Sequence, residues 1–219
     1  MYKTIEQMCA YNRIIGRGYD VHGTPRPYDE REFFQIVEEM GWNQNNPDYR
    51  CLFEGLARYI KGFLEITTSL ELGCGPGYLL DCLTKAGIEA VGVDANPYSK
   101  KWFDDSFPAL SSRYVLDPTF SKHYERADLF IAIECFEHIS DDLLAKIMEK
   151  VAREIQPVFI IFSSTPFPHP QAEWDVQWGH INLKQSPAWE AFFLRYGYAL
   201  AQERPPVTAW AMLFKRVKG

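Results

Sequence analysis

The 219-residue sequence contains no stretch approaching the ~18 consecutive apolar residues that a membrane-spanning helix needs. Its opening segment, "MYKTIEQMCAYNR", has no apolar core of the signal-peptide kind, so a cytoplasmic chain without a membrane partner is expected. Cysteines are few, odd in number and scattered at Cys9, Cys51, Cys74, Cys82 and Cys135, with no C-x-x-C pair. That argues against a disulfide framework and a cysteine-built zinc site, and leaves reduced, mostly buried thiols as the expectation. No run of Lys or Arg exceeds two residues, and the net charge is −6. The electrostatic footprint of a non-specific nucleic-acid binder is missing, and a small-molecule partner is expected instead. Internal repeats and low-complexity segments are missing too.

What is present is an ordinary globular balance, 47% hydrophobic and 24% charged, in a length that suits one structural domain. Residues 1–65 differ from the rest. "GRGYDVHGTPRPY" reads as an irregular flap carrying Tyr19, and "YDEREFFQIVEEMGW" and "YRCLFEGLARYIKGF" repeat apolar residues at helical spacing, giving a helical cap. From residue 66 to 219, short apolar runs alternate with helical patterns. Strands are expected at 66–72, 90–93, 113–116, 129–133 and 158–162, with helices starting near Tyr78, Pro97 and Asp141. Such alternation is the sequence form of βαβ units in a mostly parallel sheet. After a further helix, "SPAWEAFFLRYG", two strand-like runs, "YALAQ" and "AWAMLFKRV", are expected to pair antiparallel at one edge. The fold class expected is α/β, Rossmann-like and doubly wound.

The sharpest local signal is "LELGCGPGYLL", residues 70–80. A strand ends near Glu71, glycines at alternate positions (Gly73, Gly75, Gly77) turn the chain and bare its backbone, and a helix N-terminus follows. Asp94 ends the next strand, 17 residues after Gly77, where a carboxylate can accept hydrogen bonds from both hydroxyls of a ribose. The spacing G-x-G-x-G, approached by an acid, departs from the G-x-G-x-x-G that grips a pyrophosphate, and suits a cationic ligand better.

With these residues in view, the chain resembles the class I S-adenosylmethionine-dependent methyltransferases from about Ile66 onward. "ELGCGPG" looks like their first motif and "GVDANP" like their second. The resemblance implies that Glu71, Gly73, Gly75 and Gly77 line the methionine and sulfonium part of S-adenosylmethionine, with S-adenosylhomocysteine as product. It implies that Asp94 holds the ribose, that Ala95 and Asn96 lie beside the adenine, and that Asp117, with Pro118, meets the adenine amino group. Glu134, ending the fourth strand, would face the reacting methyl.

The segment "AIECFEHIS", residues 132–140, leaves three roles open for Glu134, Glu137 and His138. They resemble, with a later His180, the E-x-x-E-H pattern of RNA 2′-O-methyltransferases that act through a bound divalent ion. Alternatively, His138 or His180 is the catalytic base that takes a proton from the acceptor. The third role is a plain strand-to-helix joint, capped by Ser140. No metal is expected unless His180 comes within reach of Glu134, Glu137 and His138. The loop "TPFPHPQAEWDVQWGHINLK" supplies aromatic and imidazole rings, of which His169, Trp174 and Trp178 are candidate substrate contacts along with Tyr19. The functional expectation is methyl transfer to an oxygen or nitrogen of a small molecule. The alternatives are a metal-assisted RNA 2′-O-methyltransferase, a non-catalytic S-adenosylmethionine-binding protein and, on the glycine loop alone, an NAD-binding reductase.

Overall fold

The computed structural model describes residues 30–39, 41–165 and 179–217. Among the described residues two helices come first: α1, Glu30–Phe34, running on as a wider π turn through Gln35–Glu39, and α2, Pro47–Phe63. Asn46 caps α2 by accepting from the Asp48 N–H, and Pro47 occupies the first turn, where a missing donor costs nothing. Leu56, Ala57 and Ile60 form its buried stripe.

The core then alternates β1 (Thr68–Leu72), α3 (Tyr78–Lys85), β2 (Glu89–Asp94), α4 (Pro97–Ser106), β3 (Tyr114–Leu116) and β4 (Leu129–Ile133). It continues with α5 (Asp141–Lys150, extended by a π turn to Ile155), β5 (Phe159–Ser163), α6 (Ser186–Arg195), β6 (Tyr198–Leu200) and β7 (Met212–Arg216). The seven strands lie in the order β3-β2-β1-β4-β5-β7-β6. The first five are parallel, and β7 runs antiparallel to both β5 and β6. This is the doubly wound α/β sheet the sequence implies, with the antiparallel pair at one edge.

Side chains alternate across the sheet with a period of two. Phe130 and Ala132, Ile160 and Phe162, and Met212 and Phe214 join one cluster with Leu144, Ile147, Met148, Trp189 and Phe193 of α5 and α6. Leu129 and Ile131, Ile161, and Leu213 join the other with Leu56, Ile60, Leu79, Leu83 and Phe103 of α2, α3 and α4. Both faces are therefore covered, which explains why the inner strands read as unbroken apolar runs.

Among the described residues the cysteines are free: Cys74 and Cys82 are buried, Cys135 partly so, and Cys51 is exposed on α2. No helix among the described residues is long and apolar enough to cross a membrane.

The chain leaves β1 toward β2 and β3 on one side and later returns to β4 and β5 on the other. The crevice between the carboxyl ends of β1 and β4 is thus the switch point, where open α/β sheets bind ligands. The glycine loop follows β1, and "ECFEHIS" follows β4.

Candidate functional site

All three loop glycines adopt positive φ: 75° at Gly73, 50° at Gly75 and 78° at Gly77. Two of them also make room for the protein's own atoms. A Cβ at Gly73 would come within 2.5 Å of Cys135 Sγ, and one at Gly77 within 2.2 Å of the Phe103 ring. Gly75 differs, because nothing lies within 4 Å of the point its Cβ would occupy. Its backbone is nevertheless fixed on both sides, the N–H donating to Asp94 Oδ2 at 2.8 Å and the carbonyl accepting from the Tyr114 hydroxyl at 2.9 Å. A rigid, bare stretch of main chain therefore faces open space at the switch point.

Acids surround it. Glu71 is buried, its Oε2 has no hydrogen-bond partner, and its pKa is pushed up to about 8 by burial and then by the charge of Asp94. Asp94 accepts from the N–H groups of Gly75 and Asn96, one on each oxygen at 2.8 Å. Burial raises its pKa, and backbone donors at Asn96, Gly75 and Ala95 oppose the shift. A carboxylate has about four acceptor positions, so these donors leave acceptor capacity for a ligand's hydroxyl. Asn96 is buried and caps α4 by accepting from the Tyr98 N–H, while its Nδ2 has no partner.

Asp117 is bound more tightly within its own loop. It accepts from the Lys122 N–H at 2.8 Å and the Tyr124 hydroxyl at 2.7 Å, and its pKa is lowered by these donors against the opposing effect of burial. Its own N–H donates to the Asp94 carbonyl, tying the ends of β2 and β3 together, and Pro118 beside it is exposed.

Glu134 sits at the carboxyl end of β4 with φ 46°, a left-handed conformation that is uncommon for a side chain of this kind. Its carboxylate accepts from the Ser163 hydroxyl, from Thr165 Oγ1 at 2.6 Å and from Trp210 Nε1 at 2.8 Å. The strained turn thus aims Glu134 across the ends of β4 and β5 toward the β6–β7 connection.

Glu137, His138 and His180 come together. Each offers one ligand atom, and these atoms lie within 4.8 Å of one another. The imidazole centroids are 4.8 Å apart, roughly perpendicular. His180 is held in place by the next two residues, Ile181 and Asn182, whose N–H groups donate to the Glu137 carbonyl at 2.8 and 2.9 Å. Both carboxylate oxygens of Glu137 are buried without a partner, and burial, followed by the charge of Glu134, raises its pKa well above the carboxylate range. Burial, followed by His180, holds the His138 pKa well below the usual imidazole range, so this ring is neutral near pH 7.

The glycine loop, Glu71, Asp94 and Asn96 lie at one end of the crevice, and Glu134, Glu137, His138 and His180 border it at β4. Tyr19, His169, Trp174 and Trp178 lie outside the described residues. Sequence reasoning did not single out Tyr114 or Trp210 for the site. Tyr114 opens β3 directly opposite Gly92 in the register, a neighbourhood visible only once β2 and β3 are paired. Trp210 precedes the last strand with no motif around it.

A family model described as a methyltransferase domain matches residues 23–203 of this chain. A ubiquinone biosynthesis O-methyltransferase from Rhodopseudomonas palustris (strain TIE-1) is 28% identical over 106 residues, covering 47% of this chain and 41% of that protein. The chain thus spans less than half the length of the curated relatives it matches. Among solved structures, a mitomycin 7-O-methyltransferase superposes with a TM-score of 0.59 at 15% identity, covering 97% of this chain and 67% of that one. The small RNA methyltransferase HEN1 gives 0.58 at 17% identity, covering 76% of this chain and 25% of that one. At these identities the two structures are likenesses of fold.

Proposed function

The chain belongs to the methyltransferase domain family, and we propose that it transfers the methyl group of S-adenosylmethionine to an oxygen or nitrogen of a small-molecule acceptor. The observation that carries this reading is Gly75, bare toward the switch point and clamped by Asp94 and Tyr114. The residues present fit the cofactor. Buried Glu71 with its unpartnered oxygen suits a cation, and the remaining acceptor capacity of Asp94 suits a ribose hydroxyl.

Bound S-adenosylmethionine supplies a methyl group already activated by its sulfonium. The chain's own task is then to orient the acceptor, exclude water and remove a proton. Asp94 and the glycine loop hold the donor half rigidly, and Glu134, pinned by three side-chain donors, walls the acceptor half. Burial and His180 disfavour protonation of His138, so the adjoining His180 is the proposed catalytic base that accepts a proton from a hydroxyl or ammonium group. The O-methyltransferase relatives support an oxygen acceptor in particular. Calorimetric titration with S-adenosylmethionine and with NAD tests the premise. Saturable binding of the first alone is expected, and preference for NAD would overturn it.

One observation favours a second reading. Glu137, His138 and His180 offer an oxygen and two nitrogens within 4.8 Å, a donor set that fits a divalent cation. An ion there would lower the pKa of acceptor hydroxyls, as in metal-assisted 2′-O-methylation of RNA. Glu134 is not one of this group, since its carboxylate is engaged by Ser163, Thr165 and Trp210. Titration with Mn²⁺ followed by electron paramagnetic resonance separates the readings. Micromolar binding lost in Glu137→Gln supports the metal, and unchanged free-ion signal counts against it.

A further inference from the structure

Trp210 also lines a recess of about 370 Å³ between the start of α6 and the connection from β6 to β7. This is the size range of small-molecule sites. The connection itself is tied to the site described above. Thr208 Oγ1 lies 2.9 Å from Ser163 Oγ, and Trp210 Nε1 donates to Glu134 at 2.8 Å. Trp210 is therefore shared between the recess and Glu134.

Its walls have a definite chemistry. Leu200, exposed to 43%, and Met212 supply apolar surface, and Glu190 and Glu203 set two carboxylates against the single guanidinium of Arg204. Arg204 is partly committed to its own loop, where NH1 donates to the Ala209 carbonyl at 3.1 Å. The indole N–H of Trp210 is engaged by Glu134, and the π face of an indole attracts cations.

We propose that this recess is the acceptor subsite and that it takes a ring or short aliphatic body bearing a protonated amine. The inference rests on the methyl-transfer reading and specifies its acceptor. An anionic acceptor would meet the net negative wall, and a neutral one would leave the excess carboxylate without a counter-charge.

The test uses the full chain labelled with ¹⁵N at its tryptophan indoles, with the Trp210 resonance identified by its loss in Trp210→Phe. Tyramine, 4-ethylphenol and 4-hydroxyphenylacetate are the probes. Tyramine is expected to move the Trp210 resonance saturably, with an affinity about tenfold above that of 4-ethylphenol and further above that of the anion. Glu190→Gln combined with Glu203→Gln is expected to bring tyramine down to the level of 4-ethylphenol while S-adenosylmethionine affinity, read by calorimetry, stays within about twofold. An unmoved Trp210 resonance, equal affinities for tyramine and 4-ethylphenol, or loss of cofactor affinity in the double variant would overturn the proposal. If the unmodified chain fails to bind S-adenosylmethionine, the methyl-transfer reading falls by itself. If it binds the cofactor without discriminating the amine, only the subsite falls.

Discussion

The Gly75 N–H and Asp94 Oδ2 are 2.8 Å apart. The acid that ends β2 therefore shapes the loop that ends β1, in addition to offering acceptor positions to a ligand. Asp94→Ala removes both roles at once. Affinity for S-adenosylmethionine is expected to fall about 100-fold or more, since hydrogen bonds to a charged group contribute about 1.5–3 kcal/mol each. Calorimetry reads the loss, and a variant within threefold of the parent would refute the assignment.

Glu71 links binding to pH. Its folded-state pKa of about 8 lies above the ordinary carboxylate value of 4.5, so the native chain keeps a proton that the unfolded chain releases between those two values. The stability this proton confers is complete below the lower value and is lost as pH rises toward 8, by roughly 1.4 kcal/mol per unit at most. Glu71→Gln is expected to flatten that slope, melting later than the parent at pH 8 with little difference at pH 5. A cationic ligand favours the ionised acid, so cofactor binding at pH 7 is expected to release a proton in the parent and none in the variant. Binding enthalpies measured in two buffers of different ionisation enthalpy check this.

Two glycines of one loop separate packing from ligand contact. Gly77→Ala drives a methyl group into Phe103 at a φ of 78° and is expected to destabilise the fold by about 2–4 kcal/mol. Gly75→Ala meets no protein atom, so only backbone strain of about 1–2 kcal/mol is expected. Its methyl group points into the space assigned to the cofactor, however, and affinity is expected to drop more than tenfold. Thermal melts and calorimetry on both variants distinguish the two effects.

For His180, the expected signature is in turnover and not in cofactor affinity. His180→Ala should reduce kcat about 100-fold on an acceptor found by mass gain of one methyl, as loss of a general base does, with S-adenosylmethionine affinity unchanged. A variant with full rate at saturating acceptor would exclude the base role.

Elements that depend on local signals were legible in the chain. Helices begin at Tyr78, Pro97 and Asp141, where the sequence places them, because their start signals, Gly77, Asn96 and Ser140, are adjacent in sequence. Strand limits shift by one to three residues, since ladder pairing and not apolar character sets them: 66–72 becomes Thr68–Leu72, 158–162 becomes Phe159–Ser163, and the run from Ala209 becomes Met212–Arg216. The glycine loop and Asp94 were legible for the same reason, as a motif on consecutive strands. The engagement of Glu134 was not, because its partners Ser163, Thr165 and Trp210 belong to later parts of the chain. The meeting of His138 with His180 was indicated by the resemblance and not by spacing, since it needs the Glu137 carbonyl to receive two N–H groups from residues more than forty positions on. Nothing in the spacing of "EHIS" reports that contact.

The three donors on Glu134 are all side chains, whereas Asp94 holds the glycine loop through main-chain N–H groups. Main-chain donors survive almost any substitution, but hydroxyls and an indole do not. On the proposed reading, the cofactor half would be buffered against sequence drift and the acceptor half written in replaceable letters: changes at positions 163, 165 and 210 would retune the acceptor without disturbing the grip on the donor.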